Sequence, residues 1–159
     1  MILFVFEGEE REPVVFRTLE RLFFKKQNNI ICSFGNNIYE LYQLMLSYGE
    51  DCSVVDVLKE YLSERGDDTL SGILSSHISE VFLFFDYDFQ NSHLTLVEIN
   101  HRLQAMLEMF DEETENGKLY INYPMMESIR YTKELPDEDY VNYTVTRLDC
   151  RNFKRIAND

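Results

Sequence analysis

Val81-Phe82-Leu83-Phe84-Phe85-Asp86-Tyr87-Asp88 is the stretch that decides the fold class of this chain. Five apolar residues in an unbroken run make this the most strand-like segment of the chain. Two aspartates stand where that run stops. Working outward, Ile2-Leu3-Phe4-Val5-Phe6 repeats the pattern and stops at Glu7-Gly8. Residues 29–34 and 118–123 are further apolar runs, closed by Gly35-Asn36 and by Pro124. Between the runs the period changes. From Glu12-Pro13 onward, Val14, Val15, Leu19, Leu22 and Phe23 recur at helical spacing, with Pro13 suited to a first turn. Ile38, Leu41, Tyr42, Met45 and Leu46 form a second stripe, Val54, Val55, Leu58 and Leu62 a third, and residues 94–110 a long fourth. Strands alternating with helices predict an α/β domain built on a mainly parallel, Rossmann-like sheet flanked by helices. Residues 112–117 read as an acidic loop, and residues 131–159 as a charged, irregular extension of the same domain. No closing element is legible there, so a reading as a fragment of a longer protein stays open.

The chain has 159 residues, enough for one domain with a real core, and its 45% hydrophobic content excludes a disordered polymer. Fifteen Lys and Arg stand against 29 Asp and Glu, a formal net charge of -14. That balance argues against a whole-surface grip on nucleic acid, which needs clustered cations. It leaves room for carboxylates masked locally by metal ions. Cys32, Cys52 and Cys150 are an odd, scattered trio that suggests neither a disulfide framework nor a zinc site. The apolar start of residues 1–6 is too short for a signal peptide, and no apolar stretch reaches bilayer length. A soluble, cytoplasmic protein without membrane contact is expected.

Ligands of open parallel sheets bind beyond the carboxyl ends of the strands. Here those ends carry acid: Glu7 with Glu12 behind it, Asp86 with Asp88, and Glu127 in Tyr123-Pro124-Met125-Met126-Glu127-Ser128. Neighbouring strands lie about 4.8 Å apart, so these carboxylates could meet in one small site. Clustered carboxylates repel, and a divalent cation relieves the repulsion. An all-oxygen donor set favours Mg²⁺ or Mn²⁺ over zinc. Such ions polarise a phosphodiester and acidify an attacking water. The bland readings are helix capping for Glu7 and Glu12, a turn for Asp86 and Asp88, and a solvated helix start for Glu127. His77, His93 and His101 come with no Ser or Cys nucleophile motif and read as surface or boundary residues. The aromatic runs read as core before they read as a stacking platform, because no cations interleave them.

Phe4-Val5-Phe6-Glu7-Gly8 followed by Glu12-Pro13 resembles the opening motif of TOPRIM domains, and Phe84-Phe85-Asp86-Tyr87-Asp88 resembles their second, Asp-x-Asp motif. The segment around Glu127 is similar to the downstream acidic segment of the OLD-like and RloB-like bacterial defence nucleases. The likeness runs in order over residues 1–130, the expected TOPRIM catalytic core. It implies Glu7 as a metal ligand or general acid/base, Glu12 as the second acid of the opening motif, and Asp86, Asp88 and Glu127 as metal-side acids. It also implies a downstream lysine that steadies transition-state charge, a role matched by Lys154 in Asn152-Phe153-Lys154-Arg155. The implied function is Mg²⁺- or Mn²⁺-dependent hydrolysis of DNA or RNA in phage defence. No Walker motif is present, so the resemblance implies an ATPase partner in a separate protein or segment. Basic surface for the substrate would come from such a partner or from a second copy in a homo-oligomer. The alternative is a catalytically silent TOPRIM module serving as an interaction or effector subunit.

Overall fold

The computed structural model describes residues 1–23, 28–49, 52–87 and 94–157. Asp88 and His93 lie outside them. The chain runs β1 (Ile2–Phe6), α1 (Arg11–Phe23), β2 (Asn29–Ser33), α2 (Ile38–Tyr48), α3 (Val54–Glu64), β3 (Glu80–Asp86), α4 (Leu96–Met109), β4 (Asp111–Glu112) and β5 (Gly117–Asn122). Among the described residues there are also 3₁₀ turns at Ser75–His77, Met126–Arg130 and Tyr140–Asn142 and two short helices, α5 (Arg147–Cys150) and α6 (Phe153–Ile156). The five strands order as β2-β1-β3-β5-β4, all parallel except the two-residue β4 against β5. This is an α/β fold with a mixed, mainly parallel sheet flanked by helices. Among the described residues no helix is long and apolar enough to cross a membrane.

Local chemistry sets the helix boundaries. Asn37, Ser53 and Thr95 each accept the backbone N–H three residues on, and Glu98 closes a capping box with Thr95. Helix α1 starts at Arg11, so Pro13 falls in the first turn, where a missing N–H costs nothing. At the start of β5, Gly117 has φ +92, a conformation that L side chains rarely adopt. A Cβ there would also stand 3.2 Å from Val81 Cγ1.

The crossovers decide which face of the sheet is covered. Chain travel from β1 to β2 runs one way along the sheet, and travel from β2 to β3 and from β3 to β5 runs the other way. Right-handed crossovers therefore put α1 on one face and α2, α3 and α4 together on the opposite face. The three-helix face holds the main core: Leu3, Val5, Leu83 and Phe85 pack with Leu41 and Met45 of α2, Val54 and Leu58 of α3, and Met106 of α4. The other face carries Phe4, Phe6, Phe82, Phe84 and Tyr120, and Phe16 of α1 packs on Phe4 and Phe6 with ring centroids 4.1 and 5.4 Å away. Phe82 and Phe84 stay only half-buried and Tyr120 is 43% exposed. The apolar run of β1 predicts burial on both faces and Leu3 to Phe6 are buried on both, whereas β3 is fully buried on one face only.

Candidate active site

Strand β1 lies between β2 and β3, and the chain leaves it in opposite directions to either side. Such a point of reversal opens a crevice beyond the carboxyl ends of the two strands. Glu7 and Asp86 stand there. The Glu7 backbone is fixed from both sides, its N–H donating to Phe84 O at 3.0 Å and its carbonyl accepting from Gly35 N at 2.9 Å. Its side chain reaches across the strand gap, where Oε2 accepts the Asp86 backbone N–H at 3.0 Å. Two motifs 79 residues apart therefore meet as neighbours at one edge of the sheet.

Asp86 sits in register with Asn122 on the adjoining β5. Its Oδ1 accepts from Asn122 Nδ2 at 3.2 Å and from the Met126 backbone N–H at 2.9 Å. Burial pushes this carboxyl up to about 6 against those two hydrogen bonds, and the charges of Glu12 and Glu127 push the same way. Glu12, in the first turn of α1, folds its carboxylate over Gly8, where a Cβ would meet Glu12 Oε2 at 2.5 Å. Gly35, at φ +71, lies between the Glu9 and Arg65 side chains, which pair at 3.7 Å.

Glu127 is 4% exposed, not the solvated residue of the bland reading. Arg11 Nη1 donates to its Oε1 at 2.6 Å, and Lys154 Nζ lies 3.8 Å from the same oxygen. A buried carboxylate needs such partners, because its bare charge would be costly to desolvate. The crevice has a volume of about 560 Å³ and is lined by Glu7, Glu9, Glu10, Glu12, Asp86 and Glu127 together with Arg11 and Lys154.

Five of the six residues singled out from sequence, Glu7, Glu12, Asp86, Glu127 and Lys154, line this one crevice. The sixth, Asp88, lies outside the described residues. His77, on its 3₁₀ turn, and His101, on α4, do not line it. Arg11 is the residue that sequence reasoning missed. Within Glu9-Glu10-Arg11-Glu12 it reads as part of a solvated helix start, and its only signal is a cation inside an acidic run. Among the described residues, no three His, Cys, Asp or Glu side chains form a preformed metal cage. The reason is visible locally: Asp86 is turned onto Asn122 and Met126, and Glu127 onto Arg11. Cys32, Cys52 and Cys150 are free thiols, and burial pushes Cys32 up to about 12, far from thiolate chemistry.

The chemistry open to this crevice is that of oxygen donors beside a pair of cations. Set against protein-family models, curated proteins and solved structures, the chain matches none of them.

Proposed function

We propose that this chain is a TOPRIM-type nuclease that hydrolyses nucleic-acid phosphodiesters with Mg²⁺ or Mn²⁺. The observation that carries the reading is the hydrogen bond from Asp86 N to Glu7 Oε2, which joins the ends of the two acidic motifs at the sheet's point of reversal. The donor chemistry fits a hard cation. Glu7 and Asp86 would hold it with Asp88, and a cation there would relieve the burial and the neighbouring charges of Glu12 and Glu127 that hold the Asp86 carboxyl high. When bound, the ion would supply Lewis-acid polarisation of the phosphodiester and acidify water. Glu12, which lines the crevice, would take a proton from an attacking water. Arg11 and Lys154 bring positive charge to a crevice that would otherwise repel phosphate, and Glu127 holds both in place. Glu127 therefore acts in this reading as a positioning residue for cations rather than as a metal ligand.

A second reading, a silent module acting as an effector subunit, is favoured by the ion pair of Glu127 with Arg11, which turns one of the expected metal-side acids away from a metal ion. One assay separates the two. The purified chain is incubated with single- and double-stranded DNA and RNA in millimolar Mn²⁺, beside Asp86→Ala and Asp88→Ala. Cleavage by the wild type and its loss by at least about a hundredfold in both folded variants supports the nuclease. Mn²⁺ binding with no cleavage of any substrate selects the silent module. Undiminished cleavage in both variants overturns the metal assignment.

A further inference from the structure

Among the described residues, the face of the sheet that carries α1 is covered by that helix alone. Mainly parallel sheets are covered on both faces, because their strands cannot leave apolar surface in water. Handedness places a helix on this face for the crossover that runs from β1 to β2, so α1 covers β1, and among the described residues no helix lies over β3 and β5. What remains is a groove of about 660 Å³ floored by Phe82, Phe84 and Tyr120. Leu19 of α1 forms one wall, and Ile129 of the Met126–Arg130 turn forms the other, at 42% and 61% exposed.

Its charge is one-sided. Glu80 opens β3 at one end of the groove and Glu12 stands at the other, and no lysine or arginine is among the described residues that line it. Lys118, on the same sheet face beside Phe82, turns to the edge and donates to the Asp111 carbonyl. From Glu80 to Asp86 the strand spans six residue steps, roughly 20 Å at the usual rise, which matches an α-helix of about 13 residues. A second copy of the chain is a poor occupant, because each copy carries a net charge of -14 and would set Glu12 and Glu80 against their counterparts.

We propose that this groove docks an amphipathic helix of a partner protein, its apolar stripe on Phe82, Phe84 and Tyr120 and its lysines or arginines beside Glu80 and Glu12. The mode is helix-in-groove recognition, with anchors at i, i+3 or i+4, and i+7. It shares Glu12 with the nuclease reading, but it is tested by binding alone, with Glu12 left unchanged.

The probe is a synthetic 14-residue Leu/Lys amphipathic peptide, with a Leu/Glu peptide of the same pattern as control. Both are titrated by fluorescence anisotropy at physiological salt, and hydrogen exchange maps the contact. The Leu/Lys peptide is expected to bind and to protect β3 and β5, and the Leu/Glu peptide to fail. The charge-neutral pair Tyr120→Ser and Ile129→Ser should weaken binding by about tenfold, as loss of an aromatic anchor does. Glu80→Gln should weaken it further, and Tyr120→Phe should restore it. Thermal melts verify that each variant is folded. Equal binding of the Leu/Lys peptide to wild type and the Ser pair would reduce the effect to general charge attraction and overturn the proposal. So would a wild-type dimer that Tyr120→Ser disperses, or protection of β3 and β5 by an oligonucleotide rather than by the peptide.

Discussion

Replacing Asp86 with Asn tests the electrostatic reading of the crevice without touching any metal. The folded carboxyl titrates near 6 against an ordinary value of 3.8, a difference of about 2 pH units. At about 1.4 kcal/mol per unit, the ionised side chain costs the folded state on the order of 3 kcal/mol. The sign follows from proton counting. Between pH 4 and pH 6 the folded chain holds a proton that the unfolded chain has released, so stability falls as pH rises through this window. Above about pH 6 the cost is complete and constant. The amide keeps the oxygen that accepts from Asn122 and Met126 and removes the charge. Asp86→Asn should therefore match the wild type at pH 4 and exceed it by about 3 kcal/mol at pH 8. For a chain of this length that is a rise in Tm of roughly 6–12 °C. The difference between the two proteins is the measured quantity, because carboxylates such as Asp56, held low by hydrogen bonds from Ser75 and Ser53, give both the opposite slope. Calorimetry of both proteins at the two pH values supplies it. An equal gap at pH 4 and pH 8 would refute the account of Asp86 as a carboxyl held high by burial.

Three further outcomes follow from the same geometry. Arg11→Ala should cost about 1–3 kcal/mol in urea denaturation, since buried Glu127 keeps only Lys154 at 3.8 Å, and adding Glu127→Gln should recover most of it; a loss below about 0.5 kcal/mol would mean a solvated pair. Millimolar Mn²⁺ should raise the wild-type Tm, by about 1.4 kcal/mol of stability at tenfold excess over Kd, and the gain should shrink in Glu7→Gln and Asp86→Asn; identical melts throughout would count against a cation site. Gly117→Ala should destabilise the start of β5 by about 1–2 kcal/mol through its positive φ and the approach of Val81, and a neutral result in chemical denaturation would show that β5 can shift at no cost.

The strands and helices that bury a continuous apolar face were legible in the sequence, because period alone identifies them. Residues 2–6 and 80–86 are cases where an unbroken apolar run left little choice. Strand β4 was not legible. Asp111 and Glu112 have no apolar period, and only pairing with Gly117 and Lys118 extends them. The meeting of Glu7 with Asp86 could be anticipated from the rule that places ligands beyond strand ends. The orientation of Asp86 could not, since it depends on Asn122 and Met126, which a tertiary turn brings in. Glu127 carries the sharpest lesson. Its acidity is visible in sequence, but its burial and its hold on Arg11 and Lys154 arise only when α1, the segment after β5 and the C-terminal residues converge. The half-bare aromatic face was hidden for a different reason: apolar continuity reports what a strand prefers, whereas crossover handedness decides what the chain can cover.

The bond between Asp86 N and Glu7 Oε2 also sets an order of events during synthesis. Glu7 leaves the ribosome well before the amide that anchors its carboxylate, which follows 79 residues later. At roughly 5–20 residues per second, that is a wait of about 4–16 s. Asn122 and Met126, which orient Asp86, emerge later still. Strand β1 cannot complete its place in the sheet until β3 arrives, so its apolar residues spend the interval without their final neighbours. This crevice therefore forms late in translation, and a nascent chain that stops short of Met126 holds Glu7 without the geometry that gives it a role.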